Sequence, residues 1–358
     1  MMKRITFCAL LMTLFLLLSC GSGSTKSEDP KTTFLNSIAN LGKGFLDVFT
    51  SLSDMVSGAF GIKADTKKSD IGKYFSDIET TMNTVKKKLQ DEVVKNGNYS
   101  KLKSVVDTFI TNTLDKIAAG AKTAAKGAEG NDPIANVAVG GADAAGAGVA
   151  AGSDAVKSLS EGIGKIVDVV LKGKGSADAG TDKKADALGD RGANAGDAGK
   201  LFGNTGNNGA IDSADNAKKA AADAAKAVGA VTGADILQAI VKDGGDAAKL
   251  AKNTAEAQVA NVATAKDATI AGGIALRAMA KGGKFANEKD AANADAKKAV
   301  EDAVVSAVTK ALNALTIAIR NTVDSGLKSI NDVLATVTQE DKAAEATTPA
   351  ETATSSVQ

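Results

Sequence analysis

The chain has 358 residues, with 43 Lys and Arg against 42 Asp and Glu, so its formal net charge is +1 and neither sign draws it toward nucleic acid or an anionic membrane. It has no histidine and no tryptophan, and only 3% of its residues are aromatic. The first absence removes the commonest general base and the commonest metal ligand. Three prolines, beside abundant Ala, Lys, Asp and Val, favour helix over sheet.

Lys3 and Arg4 precede an apolar run from Ile5 to Leu18. That run is shorter than the roughly 20 residues a spanning helix needs, and a charged start with a short apolar middle describes a secretory signal. No Ala-x-Ala exit follows. Instead Leu17-Leu18-Ser19-Cys20 resembles the bacterial lipobox, in its relaxed spirochaetal form. This predicts a signal peptide over 1–19, cleavage between Ser19 and Cys20, a diacylglyceryl group on the Cys20 sulfur and an acyl group on its new amine. Several acyl chains hold far better than one, since each buried methylene contributes about 0.8 kcal/mol. Residues 20–30 then read as a flexible lipidated tether. Without Lys3 and Arg4, 41 basic residues face 42 acidic ones. Cys8 leaves with the signal and Cys20 is acylated, so no thiol remains for a disulfide and packing alone holds the exported part together.

Residues 31–339 read as one helical domain, an elongated bundle with long helices at both ends. Asp29-Pro30 supplies an N-cap and a first-turn residue. Ile38, Leu41, Phe45, Val48, Leu52 and Met55 recur every three or four residues, a seam for a partner helix. A second run has Ile71, Tyr74, Ile78, Met82, Val85, Leu89 and Val93, and stops at Asn96-Gly97. A third has Tyr99, Leu102, Val106, Phe109, Leu114 and Ile117.

Of the 37 glycines, 28 lie between Gly120 and Gly283, which marks 120–285 as a loop-rich middle. Asp132-Pro133 offers a helix start there. Val156, Leu159, Ile163, Ile166 and Val170 form one amphipathic run, and Ile236, Leu237, Ile240 and Val241 another. Residues 173–209 hold few large apolar side chains and read as exposed loop with at most a short helix. Small alanine side chains pack weakly, so the flanks are expected to supply stability and the middle an exposed surface. The last flank keeps one apolar face from Val300 through Val304, Val308, Leu312, Leu315, Ile319, Val323, Leu327, Ile330 and Leu334 to Val337. Residues 340–358 are polar and read as a disordered tail.

Motifs for chemistry are weak. Gly146, Gly148 and Gly152 miss the dinucleotide fingerprint by one residue and follow no strand. No phosphate-loop or calcium-loop spacing occurs. Ser100 with Lys103, and Ser325 with Lys328, match a Ser-x-x-Lys pair without partner motifs. The stretch "DNAKKAAADAAK" (215–226) reads as a solvated helix face. No catalytic, cofactor-binding or metal-ligating residue is assigned, and no enzyme activity is expected. Lys86-Lys87-Lys88 leaves a second function open, an adhesin for a host glycosaminoglycan or complement component.

One stretch is more specific. "AKDATIAGGIALRAMAKGGKFA" (265–286) resembles the invariant helical segment of the variable large proteins of relapsing-fever Borrelia, and is similar to its counterpart in the Lyme-spirochaete surface antigen. "DAAKAVGAVTGADILQAIV" (223–241), the helix from Lys297 to Asn331 and the lipobox extend the resemblance over essentially the whole mature chain. The resemblance implies an outer-surface lipoprotein held in the outer membrane by its lipid, with a helical fold, both termini toward the membrane and the loop-rich middle distal to it. It implies a role in antigenic variation and evasion of the antibody response, with one member expressed at a time and host antibodies as its partners. It implies no cofactor. A homo-oligomer is left open by the seam at Ile38 to Met55.

Overall fold

The computed structural model describes residues 32–33, 35–40, 42–44, 61–97, 99–140, 146–204, 210–242, 244–255, 262–289 and 294–341. Ser19, Cys20, the signal and tether segments, nearly all of the tail, and the seam positions Leu41, Phe45, Val48, Leu52 and Met55 lie outside them. The expected all-α bundle is what folds. Its helices are α1 (Lys68–Lys95), α2 (Ser100–Phe109), α3 (Asp115–Ala125), α4 (Ser153–Val170), α5 (Ala214–Ala230), α6 (Gly233–Val241), α7 (Asp246–Ala251), α8 (Asp267–Met279) and α9 (Ala294–Leu334). Among the described residues, β pairing is confined to isolated bridges such as Val137 with Phe285 and Val149 with Lys284. The chain divides into two compact units, one of 1–48, 87–107 and 327–358, the other of 49–86 and 108–326.

In the first unit the end of α1 buries Leu89 and Val93, α2 buries Leu102 and Val106, and the end of α9 buries Leu327, Ile330 and Leu334. Asn96 and Gly97 stop α1 as the sequence suggests: Gly97 takes φ +112°, closed to ordinary side chains, and Asn96 Nδ2 donates to the Glu92 carbonyl at 3.0 Å. Helical residues 42–44 lie beside Glu92 and Leu334, and Ser100 Oγ donates to the Asp341 carbonyl at 3.1 Å. Both ends of the described chain therefore meet in this unit.

In the second unit α1 presents Ile71, Phe75, Met82 and Val85 to the core. Phe75, absent from the apolar run read off the sequence, is fully buried, whereas Tyr74 is half-buried with its hydroxyl 2.7 Å from Thr316 Oγ1. Between α2 and α3, residues Ile110–Leu114 form a π-helical turn. The reason lies in the spacing: Val106, Ile110 and Leu114 are all buried at steps of four, each step overshooting a full turn by about 40° at 3.6 residues per turn. One wider turn takes up that drift.

Helices α3 and α4 cross at glycine. A Cβ on Gly162 would lie 2.3 Å from the Ala124 nitrogen and 2.6 Å from the Gly120 carbonyl, so the backbones touch directly. From this crossing α4 buries Val156, Leu159, Ile163, Ile166 and Val170, the run the sequence marked. Ser213 caps α5 by accepting from Asn216 N–H, and Thr232 with Asp235 closes a capping box on α6.

The middle differs from expectation in two ways. Asp132-Pro133 starts no helix; Pro133 pairs in a bridge with Lys67, and the Asp132 carbonyl accepts from Lys68 N–H at 2.9 Å. The alanine-rich segments, moreover, pack as core. Ala217, Ala220, Ala221, Ala224 and Ala227 of α5 are all buried, because small side chains let helices approach closely. Of the 173–209 stretch, the described residues 173–204 are irregular apart from a 3-10 turn at Ala198–Phe202, as expected, yet Ala195, Ala198, Leu201 and Phe202 are buried, and 205–209 lie outside the described residues. The long apolar face of α9 stands as read, buried at each named position from Val300 to Leu334, with Val337 buried just beyond it.

Candidate functional site

Helix α8 lies at the centre of the second unit, against α5, α6 and α7, and all thirteen of its residues are buried. Its two ends are held by buried charge. At the N-terminus Asp267, in the first turn where the helix dipole favours an anion, receives the Thr181 N–H at 2.7 Å and pairs with Lys226 at 2.9 Å and Arg191 at 2.8 Å. Arg191 also pairs with Asp223 of α5 at 2.8 Å, and both side chains are sealed from solvent. Burial alone would lower the Arg191 pKa; the Asp223 and Asp267 carboxylates outweigh it and raise it. Burial likewise opposes the charge on Asp267, but hydrogen bonds from Lys226, Thr181 and Arg191 hold its pKa below the usual range. Asp223 therefore corrects the reading of 215–226 as a wholly solvated face.

At the C-terminus of α8, Lys68 Nζ donates to the Arg277 carbonyl at 3.1 Å and to the Ala278 carbonyl, taking two of the last four acceptors of the helix. Arg277 is itself buried, with its guanidinium 5.1 Å above the Phe202 ring. Burial pulls the Arg277 pKa down to about 9. It also draws Lys68 down to about 7, with Asp132 pulling up and Arg277 pushing further down.

That shift has a measurable sign. The folded value of Lys68 lies below the unfolded one, so between them the unfolded chain binds more protons and stability rises with pH. Between pH 7 and 9, before tyrosines of the unfolded chain ionise, the parent protein should gain stability by at most about 1.4 kcal/mol per pH unit from this group. Denaturant unfolding across that range should show the slope, and Lys68→Met should lose it between pH 7 and 8, above which the lowered Arg277 adds a slope of its own. An equal slope in both proteins would remove Lys68 as its source.

These groups hold the two ends of α8. Among the described residues no three of His, Cys, Asp and Glu gather closely enough to hold a metal ion. Ser100 and Lys103 do not pair, since Lys103 pairs with Asp107, and Lys328 is taken by Asp332. Gly146 and Gly148 run beside the 284–288 backbone, and Gly152 caps α4. A polar cleft of about 400 Å³ at the start of α4 is lined by Lys126, Lys281, Glu129 and Asp154, two charges of each sign. The basic triplet is not a free patch: Lys86 pairs with Asp115 at 2.8 Å and Lys87 with Asp91 at 2.6 Å.

Sequence reasoning missed Arg191, Asp223, Asp267, Lys68 and Arg277. One signal was available. The chain holds four arginines, Arg4, Arg191, Arg277 and Arg320, among 43 basic residues, so its solvated faces are built with lysine. Two of the four, Arg191 and Arg277, are buried where a planar fork of donors is needed.

The comparisons agree with this architecture. A family model described as Borrelia lipoprotein matches residues 45–334. Variable large protein 4 of Borrelia hermsii is 55% identical, with 99% of each chain covered, and Variable large protein 17 of the same organism is 53% identical, covering 100% of this chain and 99% of that one. The solved structure of the Lyme disease variable surface antigen VlsE of Borrelia burgdorferi superposes with a TM-score of 0.67 at 33% identity, covering 83% of this chain and 97% of that one. With its helical core, its buried α8 and these relatives along nearly its whole length, the chain belongs to the Borrelia lipoprotein family, among the variable large proteins.

Proposed function

We propose that this protein is a surface lipoprotein antigen acting in antigenic variation, displayed by the cell as one member of a family and replaced by another once host antibodies recognise it. The observation that carries the reading is the pattern of kinship. Relatives in one organism, named variable large proteins, share the length of the chain while differing at nearly half of its positions. A catalyst or a dedicated receptor has a site that resists such exchange; an antigen needs only its fold.

The anchor belongs to this proposal. Cys20, acylated on sulfur and on its amine after cleavage behind Ser19, would fasten the chain to the outer membrane. The meeting of Gly42, Leu334 and Asp341 in one unit supports it, because a lipid on Cys20 then tethers the unit that holds both ends of the described chain. Enzyme activity forms no part of the proposal. The adhesin reading is the weaker one, since Lys86 and Lys87 are neutralised by Asp115 and Asp91.

The test is to sequence the expressed copy from one infected host before and after antibodies clear the first population. Replacement by another member, or changes concentrated in 120–265, is the expected result. Persistence of an unchanged copy through clearance would overturn the reading.

A further inference from the structure

Buried Arg277 and Arg191 and half-buried Lys310 share a habit: each donates to main-chain carbonyls. Arg277 Nε donates to the Ala251 carbonyl at 3.2 Å, Nη2 to the Asn253 carbonyl at 3.1 Å and Nη1 to the Lys284 carbonyl at 3.4 Å. Among the described residues no carboxylate pairs with it. Arg191 Nη1 reaches the Thr181 and Ala265 carbonyls, both at 3.0 Å, beyond its two acids. Lys310 of α9 reaches the Val228 and Val231 carbonyls at 2.7 and 3.0 Å, closing the end of α5. Every residue has a carbonyl, whatever its side chain. A donor that binds carbonyls therefore fixes the path of a segment and is indifferent to its sequence.

We propose that Arg277 is a main-chain clamp: it holds the 251–255 and 284–285 segments on the core through their carbonyl oxygens, so that the outward side chains there can be exchanged without loss of the fold. Three features converge on it. The three acceptors come from two separate segments, which the branched, planar set of donors joins at once. The outward residues Lys252 and Thr254 are exposed and Lys284 is half-buried, and among the described residues none of these three side chains makes a hydrogen bond or an ion pair. Lys68 in turn binds the carbonyl of Arg277 itself, so the clamp is seated at the closed end of α8. The value of such a device to the protein rests on the antigenic-variation reading above. The device itself does not, because it is a property of the folded chain whichever copy a cell expresses.

The experiment uses the mature chain and three variants, with thermal melting and amide hydrogen exchange as readouts. Changing Lys252→Ser, Thr254→Asn and Lys284→Gln together should leave the melting temperature within about 2 °C of the parent, as surface changes do. Arg277→Met, which keeps the bulk and deletes the donors, should lower it by roughly 5–15 °C. Arg277→Lys keeps the charge on one nitrogen that cannot span both segments. It should raise exchange at 251–255 and 284–285 on the order of tenfold while exchange in α9 stays near the parent value. If Arg277→Met does not fold, the lysine variant and the triple variant decide. The proposal is overturned if the triple variant melts as far below the parent as Arg277→Met, or if Arg277→Lys leaves exchange in both segments unchanged. Neither result would alter the outcome of sequencing the expressed copy.

Discussion

Replacing Arg191 with leucine should lower the unfolding free energy by about 3–5 kcal/mol, the loss expected when one partner of a buried ion pair is removed. The size follows from what is left behind. Asp223 and Asp267 have side chains 0% and 1% exposed, and both rely on the Arg191 guanidinium at 2.8 Å. Asp267 keeps Lys226, whereas Asp223 keeps the Ala198 N–H at 3.1 Å and, among the described residues, no cation within ion-pair distance. The carbonyls of Thr181 and Ala265 lose their donor as well. The 181–191 segment needs a firm base, because Ala187 and Leu188 turn the chain with φ of 50° and 54°, a region that costs side-chain-bearing residues about 1–2 kcal/mol each. Adding Asp223→Asn to the leucine variant should recover part of the loss by removing the stranded charge. Denaturant unfolding of both variants measures this. A single variant within about 1 kcal/mol of the parent would mean that the cluster does not anchor the 181–191 segment.

The second large effect should come from a single methyl group. Gly162→Ala should destabilise the protein by about 2–3 kcal/mol, although alanine is the better helix former by about 1 kcal/mol. The new Cβ meets backbone, the Ala124 nitrogen at 2.3 Å and the Gly120 carbonyl at 2.6 Å, and backbone cannot rotate away. Gly164, two residues on in the same helix, is the control. A Cβ there finds the Val241 Cβ at 3.7 Å, ordinary contact, so Gly164→Ala should stabilise by about 0.5–1 kcal/mol. The two changes should therefore have opposite signs in one helix. Two stabilising results would show that α3 and α4 can separate at their crossing without loss.

The parts of the fold that were legible are those where burial falls on one face. Helix α9 repeats an apolar residue every three or four positions from Val300 to Leu334, because one side meets the core and the other meets water. Helix α4 and the run from Tyr99 to Ile117 could be read for the same reason, although the π turn could be placed only once Ile110 was seen to be buried with Leu114. Helix α8 shows no such face. It is buried all round, so periodicity has nothing to report there, and it was recognised through its resemblance alone. The charged cluster was hidden for another reason. Asp223 stands among Lys and Ala like any solvated residue, and its partner is 32 positions away. Pairing over that distance is a property of the fold, which local spacing does not encode. Asp132-Pro133 had good local chemistry for a helix start, and a bridge to Lys67 overrode it.

The alanine interior has a thermal consequence. Heat capacity rises on unfolding by about 0.45 cal/mol/K for each Å² of apolar surface that meets water. A helix such as α5, which buries Ala217, Ala220, Ala221, Ala224 and Ala227, has much less of that surface to release than one filled with leucine. The increment from that helix is correspondingly small, so it adds less than a leucine-filled helix would to the curvature of stability against temperature. Replacing a buried alanine by a larger apolar residue that the site could hold would steepen that curve.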